Sequence, residues 1–307
     1  MTNGILNILK PPGMTSHDVV SRVRKKTGIK RVGHAGTLDP EAAGVLPICV
    51  GSATRLIQFM DHRRKIYRAE MRLGVETTTQ DMTGELVRQN DLSKDLIPKR
   101  NELIEGLKAF VGEYHQTPPM YSSIKKNGRK LYEIAREGKE IEREARIKHI
   151  HTIDRIQING TLILFDVSCS EGTYVRTLCH DAGQKLGCGA ALSFLLRIES
   201  CRLRLENSIT LEELQAADNW TAYRLSPDVP LDHLPKAVIN PQRCREALNG
   251  NPISMTDITI SSETMPQNEF SHHYRLYIND QFLGIGEMQP ISALMKFKMK
   301  FSENELK

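Results

Sequence analysis

Apolar residues recur at helical spacing in some stretches of the chain and alternate with polar residues in others, so both helices and strands are expected. Val19, Val20 and Val23 form one face of a helix whose other face is basic, with Ser16 standing at a favoured N-cap position. Leu103, Ile104, Leu107, Phe110 and Val111 trace a second amphipathic helix. Residues 130–137 form a third, with Gly138 at the left-handed stop position. Thr210-Leu211-Glu212-Glu213 is a capping box that opens a short fourth.

The strands are equally visible. Ile150, Thr152, Ile156 and Ile158 lead to Asn159-Gly160, and Leu162, Leu164 and Phe165 follow. Asn-Gly between two such runs predicts a hairpin with both residues at positive φ. Residues 274–278 and 281–285 flank Asn279-Asp280 in a second hairpin, and Met295, Phe297, Met299 and Phe301 alternate with Lys296, Lys298 and Lys300. Lys65-Ile66-Tyr67-Arg68 alternates as well and puts Tyr67 on the inward face. Without an internal repeat or a regular βαβ order, the pattern predicts an α+β (mixed α/β) fold, a largely antiparallel mixed sheet flanked by helices. Pro227, Pro230, Pro235 and Pro241 crowd into residues 223–241, as in an extended linker or domain seam. The expected division is therefore 1–232 and a small β-rich module at 233–307.

A chain of 307 residues agrees with two domains on a prior of roughly 150 residues each. With 39% hydrophobic and 26% charged residues, the composition excludes disorder and collagen-like structure. No apolar run approaches the ~20 residues that cross a bilayer, and the N-terminus lacks a signal-peptide pattern. No membrane partner and a cytoplasmic location are the expectation. Lys and Arg total 42 against 37 Asp and Glu, a net charge of +5, which by itself only leans toward an anionic partner. Clustering says more: Arg22, Arg24, Lys25, Lys26, Lys30 and Arg31 form one basic group, Arg63, Arg64, Lys65 and Arg68 another, and Lys125, Lys126, Arg129 and Lys130 a third. Each alone reads as solvated surface; three together suit a phosphate-rich ligand. The six cysteines contain no C-x-x-C pair, so reduced thiols are expected and no metal site.

Three segments carry more polar and glycine residues than a core needs. In Gly33-His34-Ala35-Gly36-Thr37-Leu38-Asp39-Pro40, Asp39 either caps a following helix with Pro40 at its first position or serves as a catalytic carboxylate. Tyr67 reads as a half-buried structural tyrosine and Asp81, near Gly84, as a turn residue. In Ser170-Glu171-Gly172-Thr173-Tyr174-Val175-Arg176 the arginine is either a solvated charge or the holder of a buried carboxylate. Residues 192–197 read as core. With no P-loop, Rossmann fingerprint, metalloprotease pair or nucleophile elbow, an enzyme built from these parts uses a carboxylate and no cofactor.

Taken together, these segments resemble the TruB family of pseudouridine synthases, bacterial enzymes acting on uridine 55 in the T-loop of tRNA. The resemblance runs from Asn7-Ile8-Leu9-Lys10-Pro11-Pro12-Gly13-Met14-Thr15-Ser16 through the Asp39 segment, Lys65-Ile66-Tyr67 and Gln116-Thr117-Pro118-Pro119-Met120-Tyr121-Ser122. It ends with Gly172-Thr173-Tyr174-Val175-Arg176 and Leu186-Gly187, all in family order over roughly the first 200 residues. It implies a catalytic domain at 1–232 with an RNA-gripping insertion near 120–150, and a PUA-like RNA-binding module at 233–307. By the same resemblance Asp39 is the nucleophile, Tyr67 packs on the base and accepts the C5 proton, and Arg176 pairs with the aspartate. Tyr174 and Leu195 line the uracil pocket, His34 holds the flipped-out nucleotide, and Lys10, Asp81 and Lys125 join the substrate-binding set. The partner implied is the T-stem-loop of tRNA, bound by a monomer that needs no protein partner. The chain departs from the family pattern at Leu196, Ser123 and Lys126.

The chemistry agrees with these parts. Pseudouridylation cleaves the N1–C1′ bond, turns the uracil and rejoins it through C5, so no atoms enter or leave. Two other readings remain: an RNA-binding protein with vestigial chemistry, and a guide-dependent relative like dyskerin. A glycosidase lacks a placeable second carboxylate beside Asp39. Whether Asp39 attacks C1′ or C6 is open at this point.

Overall fold

In a computed structural model, which describes residues 3–92, 97–261 and 273–302, the chain forms two units: Met1–Asp61 with Ser200–Lys307, and His62–Glu199. The first unit opens with β1 (Gly4–Lys10), α1 (Ser16–Thr27), β2 (Val32–His34) and β3 (Ala43–Val50). β1 and β2 both pair antiparallel with β3. The valine stripe of α1 packs with Leu6, Ile8, Leu46, Ile48 and Trp220, which is why this face must be apolar. Thr15, rather than Ser16, is the cap. Its Oγ1 accepts from the Asp18 N–H at 3.1 Å, and the Asp18 carboxylate accepts from the Thr15 N–H at 2.9 Å. That reciprocal pair satisfies two orphan donors at once and leaves the Ser16 hydroxyl for another purpose.

The second unit contains β4 (Lys65–Leu73), β5 (Val75–Thr77), β6 (Leu86–Gln89), α2 (Arg100–Lys108), β7 (Gly112–Gln116) and β8 (Lys125–Lys126). It continues with β9 (Arg129–Lys130), α3 (Leu131–Arg136), β10 (Arg146–Asn159), β11 (Leu162–Cys169), α4 (Val175–Lys185) and β12 (Ala190–Ser200). Its sheet runs β12-β4-β11-β10-β7, antiparallel at the β4–β11, β11–β10 and β10–β7 ladders. The β10–β11 hairpin forms, but its turn differs from expectation: Asn159 pairs with Leu162, so the two connecting residues are Gly160 and Thr161. Gly160 takes the positive φ, 58°, as a glycine at the first central position of a hairpin turn does. α2 stops at Lys108, and Phe110 and Val111 fall in the turn that Gly112, at φ 106°, completes. On β4 every second side chain is buried, Tyr67 among them.

The first unit resumes with β13 (Leu203–Arg204), α5 (Leu211–Ala216), β14 (Lys236–Ile239), α6 (Cys244–Asn249), β15 (Ile253–Ser254) and β16 (Ile258–Ile260). It ends with β17 (His273–Ile278), β18 (Gln281–Gln289) and β19 (Leu294–Lys300). Thr210 and Glu213 form the expected capping box of α5. These last strands make a sheet in the order β15-β19-β18-β17-β14-β16, with β14 and β17 parallel. Asn279 and Asp280 turn the β17–β18 hairpin at φ 45° and 60°, and β19 buries Met295 and Met299 while Lys296 and Lys298 face outward. The proline-rich segment is packed in: Leu231 and Leu234 share a core with Ile5, Val45, Phe282 and Phe301. All six cysteines are free thiols, five of them buried. Among the described residues no helix is long and apolar enough to cross a membrane.

Candidate active site

Asp39 lies in the first unit between β2 and β3. A strand follows it, not a helix, and the Ala42 N–H donates to the Asp39 carbonyl at 3.1 Å. The helix-cap alternative is thereby overturned: residues 39–42 form a turn, with Pro40 where its fixed φ suits one. Both neighbours of Asp39 are tied down. The Leu38 N–H donates to the Ser16 hydroxyl at 2.9 Å, and that hydroxyl donates back to the Leu38 carbonyl at 3.2 Å. Lys10, fully buried, donates its ammonium to the carbonyls of Pro40 and Pro11, each at 2.8 Å. So β1 and the first turn of α1 hold the backbone on either side of this carboxylate. Gly36, at φ 84°, provides the left-handed turn leading into the segment. His34 is half-buried at the end of β2, paired with Ile48.

The other candidates lie in the second unit, and several converge. Arg176 enters at the first turn of α4 and is 5% exposed. A solvated arginine is thus excluded. Its Nη2 donates to the Tyr121 carbonyl, its Nη1 lies 3.6 Å from Asp81 Oδ2, and its guanidinium sits 5.6 Å from the centroid of the half-buried Tyr174 ring. Such a cation keeps its charge in a dry setting and needs acceptors there. Asp81 proves to be both a turn residue and an ion-pair partner. Its Oδ1 accepts from the Thr79 hydroxyl at 2.6 Å, from the Thr83 N–H at 3.0 Å and from the Thr83 hydroxyl at 2.5 Å.

The Asp81 loop is fastened at two further points. The Leu192 N–H donates to the Gln80 carbonyl and the Met82 N–H to the Leu192 carbonyl, each at 3.0 Å. The Thr177 hydroxyl, next to Arg176, donates to Gln80 Oε1 at 2.7 Å. Gly84 closes the loop tightly, since a Cβ there would stand 2.4 Å from the Thr79 hydroxyl. Leu195 lies on β12 beyond the bridged Leu192, 8% exposed, and Tyr67 on β4 is 6% exposed. Residues 192–197 are not wholly core, because Phe194 is 44% exposed. Lys125 is apart from this cluster, exposed on the small β8–β9 hairpin with Lys126 and Arg129, where Asn127 and Gly128 make the turn.

A second buried set in this unit has no counterpart among the expected site residues. Gln116, 1% exposed at the end of β7, contacts the Tyr174 backbone and the Tyr114 hydroxyl, and Tyr114 reaches Asp181 on α4. Burial raises the Asp181 carboxyl pKa above the ordinary value, and burial with the Asp181 contact raises that of the Tyr114 phenol. The signal available in the sequence was alternation: in Glu113-Tyr114-His115-Gln116 the inward positions are the tyrosine and the glutamine, a polar residue where an apolar one is usual.

The chain is similar to known proteins over most of its length. Residues 24–175 match the family described as TruB family pseudouridylate synthase (N terminal domain), and residues 176–241 match the tRNA pseudouridylate synthase B C-terminal domain. A protein of Alkaliphilus oremlandii (strain OhILAs) named tRNA pseudouridine synthase B is 50% identical over 284 residues, 92% of this chain and 92% of its own. One of the same name from Clostridioides difficile (strain 630) is 42% identical over 294 residues, 93% of this chain and 94% of its own. A chain in the crystal structure of a Cbf5-Nop10-Gar1 complex shares the fold, with a TM-score of 0.74 at 24% identity, covering 99% of this chain and 86% of that one.

Proposed function

The chain belongs to the TruB family of pseudouridylate synthases, and from that premise we propose that it isomerises uridine 55 in the T-loop of tRNA to pseudouridine. Asp39 is the nucleophile in this reading. Tyr67 packs on the target base and accepts the proton from C5, and Tyr174 and Leu195 complete the wall that retains the detached uracil. His34 holds the nucleotide out of its stack, and Arg176 supplies the positive charge that favours the reacting carboxylate. Stacking a base on an aromatic ring is worth about 1–3 kcal/mol, which offsets much of the few kcal/mol of unstacking. Lys10 supports the turn that carries Asp39, Asp81 orients Arg176, and Lys125 contacts RNA phosphate from its exposed hairpin. Residues 233–307 act as a second RNA-binding module. The chain works as a cytoplasmic monomer, without a cofactor or a protein partner.

The observation that carries this reading is the burial of Arg176. A permanently charged group, 5% exposed and fixed by Tyr121, Asp81 and the Tyr174 ring, is what a carboxylate nucleophile working out of water requires. The test is Asp39→Asn in the purified protein, assayed on tRNA and on an isolated T-stem-loop. Product should disappear while tRNA affinity stays within about threefold, since the change alters one charge and not the phosphate contacts. Turnover by the variant refutes the assignment of Asp39, and wild-type activity on the bare stem-loop excludes dependence on a guide or a partner. Mapping pseudouridine in the product identifies the position modified.

A further inference from the structure

We infer that Gln116 is a positioning residue for the reaction: its side-chain amide clamps the backbone of Tyr174 and so sets the Tyr174 ring and the Arg176 guanidinium at the start of α4. The inference rests on the reading in which Tyr174 and Arg176 belong to the uracil site.

The geometry is that of one β-ladder rung made by a side chain. Gln116 Oε1 accepts from the Tyr174 N–H at 2.8 Å, and Gln116 Nε2 donates to the Tyr174 carbonyl at 2.9 Å. The second Nε2 proton points to the Tyr114 hydroxyl at 3.3 Å, and that hydroxyl donates to Asp181 on α4. The phenol's own proton is thus committed to the carboxylate, so the amide must donate to the phenol oxygen, and only one of the two amide orientations serves all three contacts.

Tyr174 needs such a clamp because it is the N-cap residue of α4 and has no side-chain cap bond. Its φ and ψ, −95° and 107°, are extended, and that backbone sets the Cα–Cβ direction from which the ring projects. The residue two positions on is Arg176, whose guanidinium lies against the same ring. Gln116 itself is held by its backbone in the β7–β10 ladder opposite Arg146. The chain Asp181–Tyr114–Gln116–Tyr174 therefore joins α4 to the sheet at two points, one of them a residue proposed to wall the uracil pocket. Apolar packing at this position would bury the strand end equally well but would leave the Tyr174 N–H without its partner.

The experiment compares Gln116→Met, which keeps the length and removes all three amide contacts, with Gln116→Glu, which keeps the Tyr174 N–H acceptor. At high pH the glutamate sets a lone pair against the Tyr174 carbonyl. As pH falls it gains a proton and can donate again, at a pKa raised by burial. Three readouts are taken: kcat and KM on tRNA, the kcat ratio of each variant to wild type across pH 5.5 to 8.5, and amide hydrogen exchange at Tyr174 in the folded protein. Expected are a kcat loss of about 100-fold in Gln116→Met, the scale of a ~1 Å misplacement, with KM unchanged. The Gln116→Glu ratio should rise toward low pH while the Gln116→Met ratio stays flat, and the Tyr174 amide in Gln116→Met should exchange at least roughly tenfold faster than in wild type. A wild-type kcat in Gln116→Met, a pH-independent Gln116→Glu ratio, or unchanged exchange at Tyr174 would overturn the inference. The exchange readout does not involve catalysis, so a wild-type protein that isomerises no uridine refutes the proposed function while the clamp is still decided.

Discussion

At the scale of single residues, the consequences of burial depend on whether a group can shed its charge. Arg176 cannot, so its surroundings must supply acceptors, and they do so from segments far apart in the chain, at residues 81 and 121. A lysine would carry the same charge but not the planar fork that reaches two acceptors. Arg176→Lys is therefore expected to lower kcat by about 10²-fold or more, the scale for losing one preorganised electrostatic contact, with tRNA affinity nearly intact in a binding assay. Asp181 can shed its charge, and burial pushes its pKa up from the ordinary 3.8. The folded form then holds a proton that the unfolded chain has already lost, so stability falls as pH rises from about 3.8 through the raised value. Asp181→Asn removes that dependence. Its Tm should exceed that of the wild type at pH 7, and the gap should close as pH approaches 4; a constant gap would show that the buried charge is not its source.

At the scale of elements, a shift of one residue separates two jobs at the start of α1. Thr15 caps the helix and Ser16 holds the loop before Asp39. Thr15→Ala should lower stability by about 1 kcal/mol, as loss of an N-cap does, and leave kcat near wild type. Ser16→Ala should do the reverse, lowering kcat more than stability, because it frees the backbone that aims the carboxylate; equal effects on Tm and kcat in both variants would disprove the division. Periodicity located this helix correctly, since Val19, Val20 and Val23 must face the core whichever residue caps it. Two adjacent hydroxyl residues look alike to a pattern, and the choice between them is made by Asp18, which reaches back to Thr15. The β10–β11 turn is a similar case. Asn159-Gly160 marked the hairpin, but the pairing of Asn159 with Leu162 shifts the connection to Gly160-Thr161, because the register follows the burial of Ile153, Ile163 and Val167.

At the scale of the whole molecule, a net charge of +5 is too small to explain RNA binding by itself, and distribution has to carry it. Arg22, Lys25, Lys30 and Arg31 are exposed in the first unit, and Lys125, Lys126 and Arg129 in the second. If about six of these meet phosphates, tRNA affinity should fall on the order of 10³-fold between 50 and 200 mM salt, as measured by filter binding. A nearly flat salt response would mean that these groups are solvated surface.

What the sequence determined by itself was everything governed by local periodicity and ordered motifs. That includes the helices α1, α2, α3 and α5, the two hairpins, the α+β class, the inward face of Tyr67 and the family resemblance that singled out Asp39 and Arg176. What only the tertiary structure decided was which polar groups meet. Arg176 with Asp81, Gln116 with Tyr174, Tyr114 with Asp181, and Lys10 with Pro40 are pairings between residues 30 to 95 positions apart. Periodicity reports which face of an element is buried, because burial depends on the side chain alone. A hydrogen bond depends on where a second segment lies to within a few tenths of an ångström, and that is fixed only when the elements have packed.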